Sequence, residues 1–210
     1  LWNTWFASMD ELWVGPSGLT IPVIPVHGNH EKHAPHYLGQ FPLPGEGYWY
    51  SVNYGPSLHI AVLDSEQTSL DEQVTWLDED LSSHSDSTWK IVALHGPFLS
   101  ASEHGGEEML VEKIAPILDK HHVDVVFSGH DHNYERTYPV NFTASDMSPQ
   151  ASPEYGTIYI VSGGWGAPLY ESGEDWWTAY SDSLYHFILV TVYANNTMYL
   201  EAKDLEGKTF

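Results

Sequence analysis

The chain has 210 residues, with 29 acidic against 7 basic side chains, a formal net charge of -22 and no cysteine. A surface this acidic repels nucleic acid and offers no charge attraction to anionic membranes, and without cysteine there is neither a disulfide framework nor thiol chemistry. The length suits one domain over 1–210 with a real core, and no apolar stretch is long enough to imply membrane insertion.

In chain order, Trp2 to Leu12 reads as a helix. Ile21 to Val26 is an apolar run, read as a strand, that leads into His27-Gly28-Asn29-His30-Glu31. Residues 31–47 hold several Pro and Gly and read as an irregular rim, with His33 and His36 as solvated loop histidines. Leu58 to Asp64 reads as a buried strand. Leu70, Val74, Leu77 and Leu81 recur at helical spacing, with Ser69 and Glu72 in the pattern of a capping box.

Trp89 to Leu94 is a further strand, ending in His95-Gly96-Pro97. Glu107 to His121 reads as a helix that Pro116 kinks or restarts, with His121 and His122 against its C-terminal dipole. Val123 to Ser128 is an apolar strand running into Gly129-His130-Asp131-His132. Asn141 to Pro153 reads as a surface loop. Leu184 to Tyr193 is apolar at nearly every position and reads as a strand buried on both faces. Asn195-Asn196 turns it into an antiparallel partner, Thr197 to Lys203. Trp165, Trp176 and Trp177 read as packing or subunit-contact residues rather than a stacking platform for a base or sugar.

Three of these strands end in metal-binding side chains. Open α/β sheets bind ligands beyond the carboxyl ends of their strands, so Asn29, His95, His130 and His132 are expected to share one site. His130 and His132 sit one residue apart, and alternate residues of extended chain point to one side. Neutral imidazoles and an amide oxygen suit a transition-metal ion. Gly28, Gly96 and Gly129 are expected to let the backbone turn sharply beside it.

Gly28-Asn29-His30-Glu31, then His95, then Gly129-His130-Asp131-His132, in that order, resemble the last three motifs of the calcineurin-like metallophosphoesterases. The extension Asn133-Tyr134-Glu135-Arg136 resembles the purple acid phosphatase branch, as do Gly156 to Pro168 and Trp49 to Gly55. The resemblance covers nearly the whole chain. It implies an α/β fold, an αββα sandwich of the metallophosphoesterase type. The Asp-x-His and Gly-Asp-x-x-Tyr motifs that open this family are not in the sequence. On this reading the N-terminal part of the catalytic domain is missing, together with the first two strands of the first sheet, and the exposed edge needs the missing piece, a homo-oligomer or another partner to cover it.

The resemblance also implies roles. Asn29, His95 and His130 would hold one metal and His132 a second; His30 and His104 would be catalytic, beside the phosphate and its leaving group; Glu31 would support the site from behind. The implied reaction is two-metal hydrolysis of a phosphoester, phosphomonoesters first among substrates, using iron paired with zinc, manganese or iron. With the opening motifs absent, these residues alone are expected to bind metal weakly and to be nearly inactive. The alternative is a non-catalytic structural or assembly protein on a degenerate phosphatase fold. The acidic composition and the Asn141-Phe142-Thr143 and Asn195-Asn196-Thr197 glycosylation patterns point to an extracellular or cell-surface location.

Overall fold

The computed structural model describes residues 2–45, 47–67, 69–143 and 156–210. The chain opens with α1 (Trp2–Leu12), as its sequence indicates, and a short α2 (Pro35–Gln40) inside the region expected to be irregular. Pro35 supplies the start of α2, where a missing N–H costs nothing. β1 (Tyr50–Tyr54) and β2 (Leu58–Val62) form a hairpin turned at Gly55, whose φ of 61° favours glycine. Then come α3 (Asp71–Ser83), β3 (Trp89–Ala93), α4 (Glu108–Lys113), α5 (Ala115–His121), β4 (Val125–Ser128), β5 (Tyr134–Thr137), β6 (Ile158–Ser162), β7 (Thr178–Asp182), β8 (His186–Val192) and β9 (Met198–Asp204).

Seven strands form one mixed sheet in the order β1-β2-β3-β4-β6-β5-β7, while β8 and β9 pair as a separate antiparallel hairpin. The centre, β2-β3-β4-β6, is parallel. Side chains alternate between the two faces. Val126 and Tyr159 face α3, α4 and α5, joining Leu77, Leu81, Leu110 and Leu118 in the main core. Their neighbours Val125 and Ile160 face the β8–β9 hairpin and Ala202. Helices, a large mixed sheet and a small second sheet make an α/β architecture of the expected type.

The large sheet is continuous among the described residues, with β3 paired directly to β4 through Ile91 and Val125. A cavity of ≈ 600 Å³ lies between the sheet and β8, lined by Ile60, Ile91, Phe127 and Val190 among others. β8 is not buried on both faces, since Phe187 and Leu189 point outward and are nearly half exposed. A two-stranded sheet covers one side only. The helix expected at Glu107–His121 is broken at Ile114, just before Pro116, into α4 and α5. The capping box before α3 is not made: Leu70 is the capping residue, and Ser69 Oγ accepts from the Asp71 N–H at 3.3 Å. The loop expected over Asn141–Pro153 lies outside the described residues from 144 onward.

Candidate metal centre

The loops after β3 and β4 are stitched together by backbone hydrogen bonds. The Leu94 N–H donates to the Phe127 carbonyl, and the Gly129 N–H to the His95 carbonyl, both at 3.0 Å. This fixes His95 beside His130. Asn29 arrives by a different route from the one its sequence suggests. Residues 21–28 do not join the sheet, and Pro22 and Pro25 have no N–H to give a ladder. The Tyr50 hydroxyl anchors the segment by donating to the Pro25 carbonyl at 2.7 Å. The chain then turns, held where the Glu31 carboxylate accepts the Gly28 N–H at 3.0 Å.

Three candidate ligand atoms meet there. Asn29 Oδ1 lies 3.0 Å from His95 Nε2, and His130 Nδ1 lies 3.2 Å from the same nitrogen. One amide oxygen and two imidazole nitrogens around one point are a donor set that fits a divalent ion. Burial, reinforced by the neighbouring His130 and His30, pushes His95 down to about 4. His130 is lowered as well, by burial first and then by His104, against an upward pull from Asp131 and Glu66. Both rings are therefore neutral near pH 7, with a lone pair to offer.

His132 stands beside this trio. Its Nδ1 donates to the Pro168 carbonyl at 2.8 Å, and its ring stacks on Tyr170 at 4.2 Å. That contact places the proton on Nδ1 and leaves the lone pair on Nε2, the usual tautomer of a metal-ligating histidine. His104 is oriented by Asp131, a fully buried carboxylate whose Oδ1 accepts from the His104 backbone N–H at 3.0 Å and from Nδ1 at 2.8 Å. The His104 ring lies 4.4 Å from that of His130. His30 is exposed and makes no hydrogen bond to the trio. It lines an aromatic cleft of ≈ 480 Å³ with Trp2, Trp5, Trp13, Phe41 and Trp165. Trp13 and Trp165 stack across it at 5.7 Å, so Trp165 packs within the chain.

The glycines act by proximity rather than by turning. None of Gly28, Gly96 and Gly129 has a positive φ. A Cβ on Gly28 would lie 2.9 Å from His95 Nδ1, and one on Gly96 would collide with Glu107, whereas one on Gly129 would meet only an ordinary contact at 3.7 Å.

His33 is not a solvated loop residue. Its Nε2 lies 2.7 Å from the fully buried Asp64, which also takes His27 Nδ1 at 3.1 Å. The His33 N–H donates to His27 Nε2 at 3.2 Å, so the His27 proton is on Nδ1 and no lone pair remains there for an ion. This network braces the turn that carries Asn29. His36 is exposed, as expected. Sequence reasoning missed Asp64, Asp131 as the anchor of His104, and Tyr170. The one signal available for the first two was a lone acid directly after a strand or between two histidines.

A mixed sheet with two histidines beyond its strand ends, joined there by an asparagine from a neighbouring loop, is an α/β fold carrying a candidate metal site. The family model of the calcineurin-like phosphoesterases matches residues 1–134, and the chain belongs to that family. Within it the chain falls in the purple acid phosphatase-like branch. It is 29% identical to an Arabidopsis thaliana protein described as probable inactive purple acid phosphatase 1, over 96% of this chain and 38% of that one. The purple acid phosphatase PPD1 from yellow lupin seeds superposes with a TM-score of 0.68 at 26% identity, covering 81% of this chain and 33% of that one. GAP50, described as the anchor in the inner membrane complex of Plasmodium, shares the fold at a TM-score of 0.73 and 17% identity, over 99% and 70% of the two chains. The chain thus spans under two fifths of the length of the Arabidopsis relative. The family implies metal ions and phosphoester chemistry. No described helix is long and apolar enough to cross a membrane.

Proposed function

We propose that this chain forms part of a phosphoester hydrolase acting on phosphomonoesters at a two-metal centre, with Asn29, His95 and His130 holding one ion and His132 contributing to the second. The observation that carries the reading is the approach of Asn29 Oδ1 and His130 Nδ1 to the single nitrogen His95 Nε2. Ions held there, iron with zinc, manganese or iron, would polarise the phosphoryl oxygens and supply the hydrolytic nucleophile near neutral pH. The protein's own contribution is order. The half-buried, neutral His95 keeps its lone pair available. Asp131 accepts the Nδ1 proton of His104, so that a His104 ring protonated at both nitrogens would give its Nε2 proton to the departing alkoxide. His30, exposed on the open side, would meet a phosphate oxygen. The substrate is a small phosphoester, in keeping with a surface that repels polyanions. The two glycosylation patterns, Asn195 at the exposed tip of the β8–β9 hairpin and Asn141, support an extracellular location.

The test is turnover of a phosphomonoester and a phosphodiester by the metal-loaded protein, with His95→Ala and His30→Ala beside it. Monoester turnover that falls at least about a hundredfold in either variant supports the reading. Metal binding without turnover of either ester would instead favour a non-catalytic protein on the same fold. The Arabidopsis relative's description as probable inactive points to that second reading.

A further inference from the structure

A second histidine cluster lies at the other end of the sheet. His59 on β2 pairs in register with Lys90, five residues before His95, so about 16 Å of strand separates it from the centre above. His59 is fully buried, and Asp80 and His84 reach it from the last turn of α3 and the residue that caps it. His59 Nε2 lies 2.8 Å from Asp80 Oδ2; His84 Nδ1 lies 2.8 Å from the Asp80 main-chain oxygen and 3.4 Å from Oδ1. The two rings stack at 4.0 Å. Asn53, opposite His59 on β1, spans their outer nitrogens, with Oδ1 2.8 Å from His59 Nδ1 and Nδ2 3.1 Å from His84 Nε2.

Counting protons shows that with both rings neutral this network is one positive charge short, which either a third ring proton or a bound cation supplies. Four ring nitrogens face three acceptors and one donor, which asks for three ring protons, whereas two neutral imidazoles carry two. Reversing the Asn53 amide exchanges which ring is short and leaves the count unchanged. The His27–His33–Asp64 cluster has no such deficit, because a backbone N–H occupies His27 Nε2.

We propose that His59, Asp80 and His84 form a separate binding site for a divalent transition-metal ion of the zinc class, which locks α3 to the β1–β2 hairpin. The inner donors are His59 Nε2, the Asp80 carboxylate and His84 Nδ1, with one ligand atom from each residue lying within 4.8 Å of the others. Tetrahedral zinc sets such atoms about 3.3 Å apart, so small adjustments suffice. Asp80 in the last turn of α3 and His84 at its C-cap are four residues apart, close enough for both to reach one ion, and the strand histidine closes the set. Ser51 Oγ fixes the carboxylate by donating to Asp80 Oδ1 at 2.9 Å. Asn53 Oδ1 accepts the outer N–H of His59, the support that ligating histidines commonly have. With Nδ1 on the ion, His84 carries its proton on Nε2, so its contact with Asn53 Nδ2 gives way to solvent at the rim, where the side chain is 28% exposed.

The test is titration with Co(II), whose visible absorption reports tetrahedral binding. In a His95→Ala/His130→Ala background, one Co(II) per chain is expected. Adding His84→Ala should weaken it by well over about tenfold, and adding Asn53→Ala by about tenfold, while His33→Ala leaves it unchanged. In the otherwise unaltered chain, His84→Ala should remove one ion, which reads the site without the double variant. Absence of Co(II) uptake in the folded background, or uptake indifferent to His84→Ala, would overturn the proposal.

Discussion

Asp131 holds His104 at two points, taking its backbone N–H and its ring Nδ1 on the same oxygen at 3.0 and 2.8 Å, while its other oxygen accepts from Ser100 Oγ. A fully buried carboxylate meets three donors in this way, which accounts for an acid between two candidate metal ligands that points away from them. Asp131→Asn removes the charge and puts an N–H against one of those donors. The expected result is a kcat lowered about 10²-fold or more with a smaller change in KM, and a loss of about 1–3 kcal/mol in stability for the unpaired donor. Steady-state kinetics and denaturant unfolding check both.

Gly28→Ala sets a methyl 2.9 Å from the His95 ring. The ring is half-buried and tethered through Asn29 and His130, so it gives way only by moving its ligand nitrogen. Metal affinity should fall about 10-fold or more, comparable to loss of an orienting contact, with a stability loss of about 1–3 kcal/mol from overpacking. Gly129→Ala, where the nearest contact is 3.7 Å, should change affinity far less. Paired metal titrations of the two variants separate them.

The Glu107 carboxyl is pushed up to about 7, by burial first and then by Glu66. Its folded value therefore lies above its ordinary 4.5. Between those values the folded state binds more protons than the unfolded chain, so this group makes stability fall as pH rises from 4.5 to 7. Glu107→Gln should abolish that contribution. It should gain about 1–2 kcal/mol over the parent at pH 8, a figure reduced for the solvent that reaches the carboxyl, and nothing at pH 4. Melting curves at the two pH values decide it.

Removing His33 leaves Asp64 buried with one fewer donor. His33→Ala should cost about 1–3 kcal/mol in stability. It should also loosen the turn at Asn29, raising the amide exchange rate of residues 28–33 while leaving that of β3 unchanged. Hydrogen exchange reads the two segments separately.

The strands read from apolar runs, β2, β3 and β4, lie where the pattern placed them because each is buried in the parallel centre, where hydrophobicity alone marks a strand. Ile21 to Val26 has the same apolar signal yet stays out of the sheet, and prolines take away two of its donors. β5 and β7 escaped notice for the opposite reason: Tyr134-Glu135-Arg136-Thr137 and Thr178 to Asp182 carry many polar residues, and they are strands because β5 pairs with β6 and β7 pairs in turn with β5. Asn29, His95 and His130 were legible because each follows a strand or a motif. The Asp131–His104 and Asp64–His33 pairings were not, because they join residues 27 and 31 positions apart through loops with no periodicity. The His59–His84 stack was hidden likewise, each ring sitting in an unremarkable strand or helix end.

The most direct test of the account is zinc bound per chain after equilibrium dialysis, measured by elemental mass spectrometry for the unaltered protein and for His95→Ala/His130→Ala. The account predicts at least one ion fewer in the variant, whatever other sites contribute to both. Equal metal content in two folded proteins would contradict it, because the convergence of Asn29, His95 and His130 would then hold no ion.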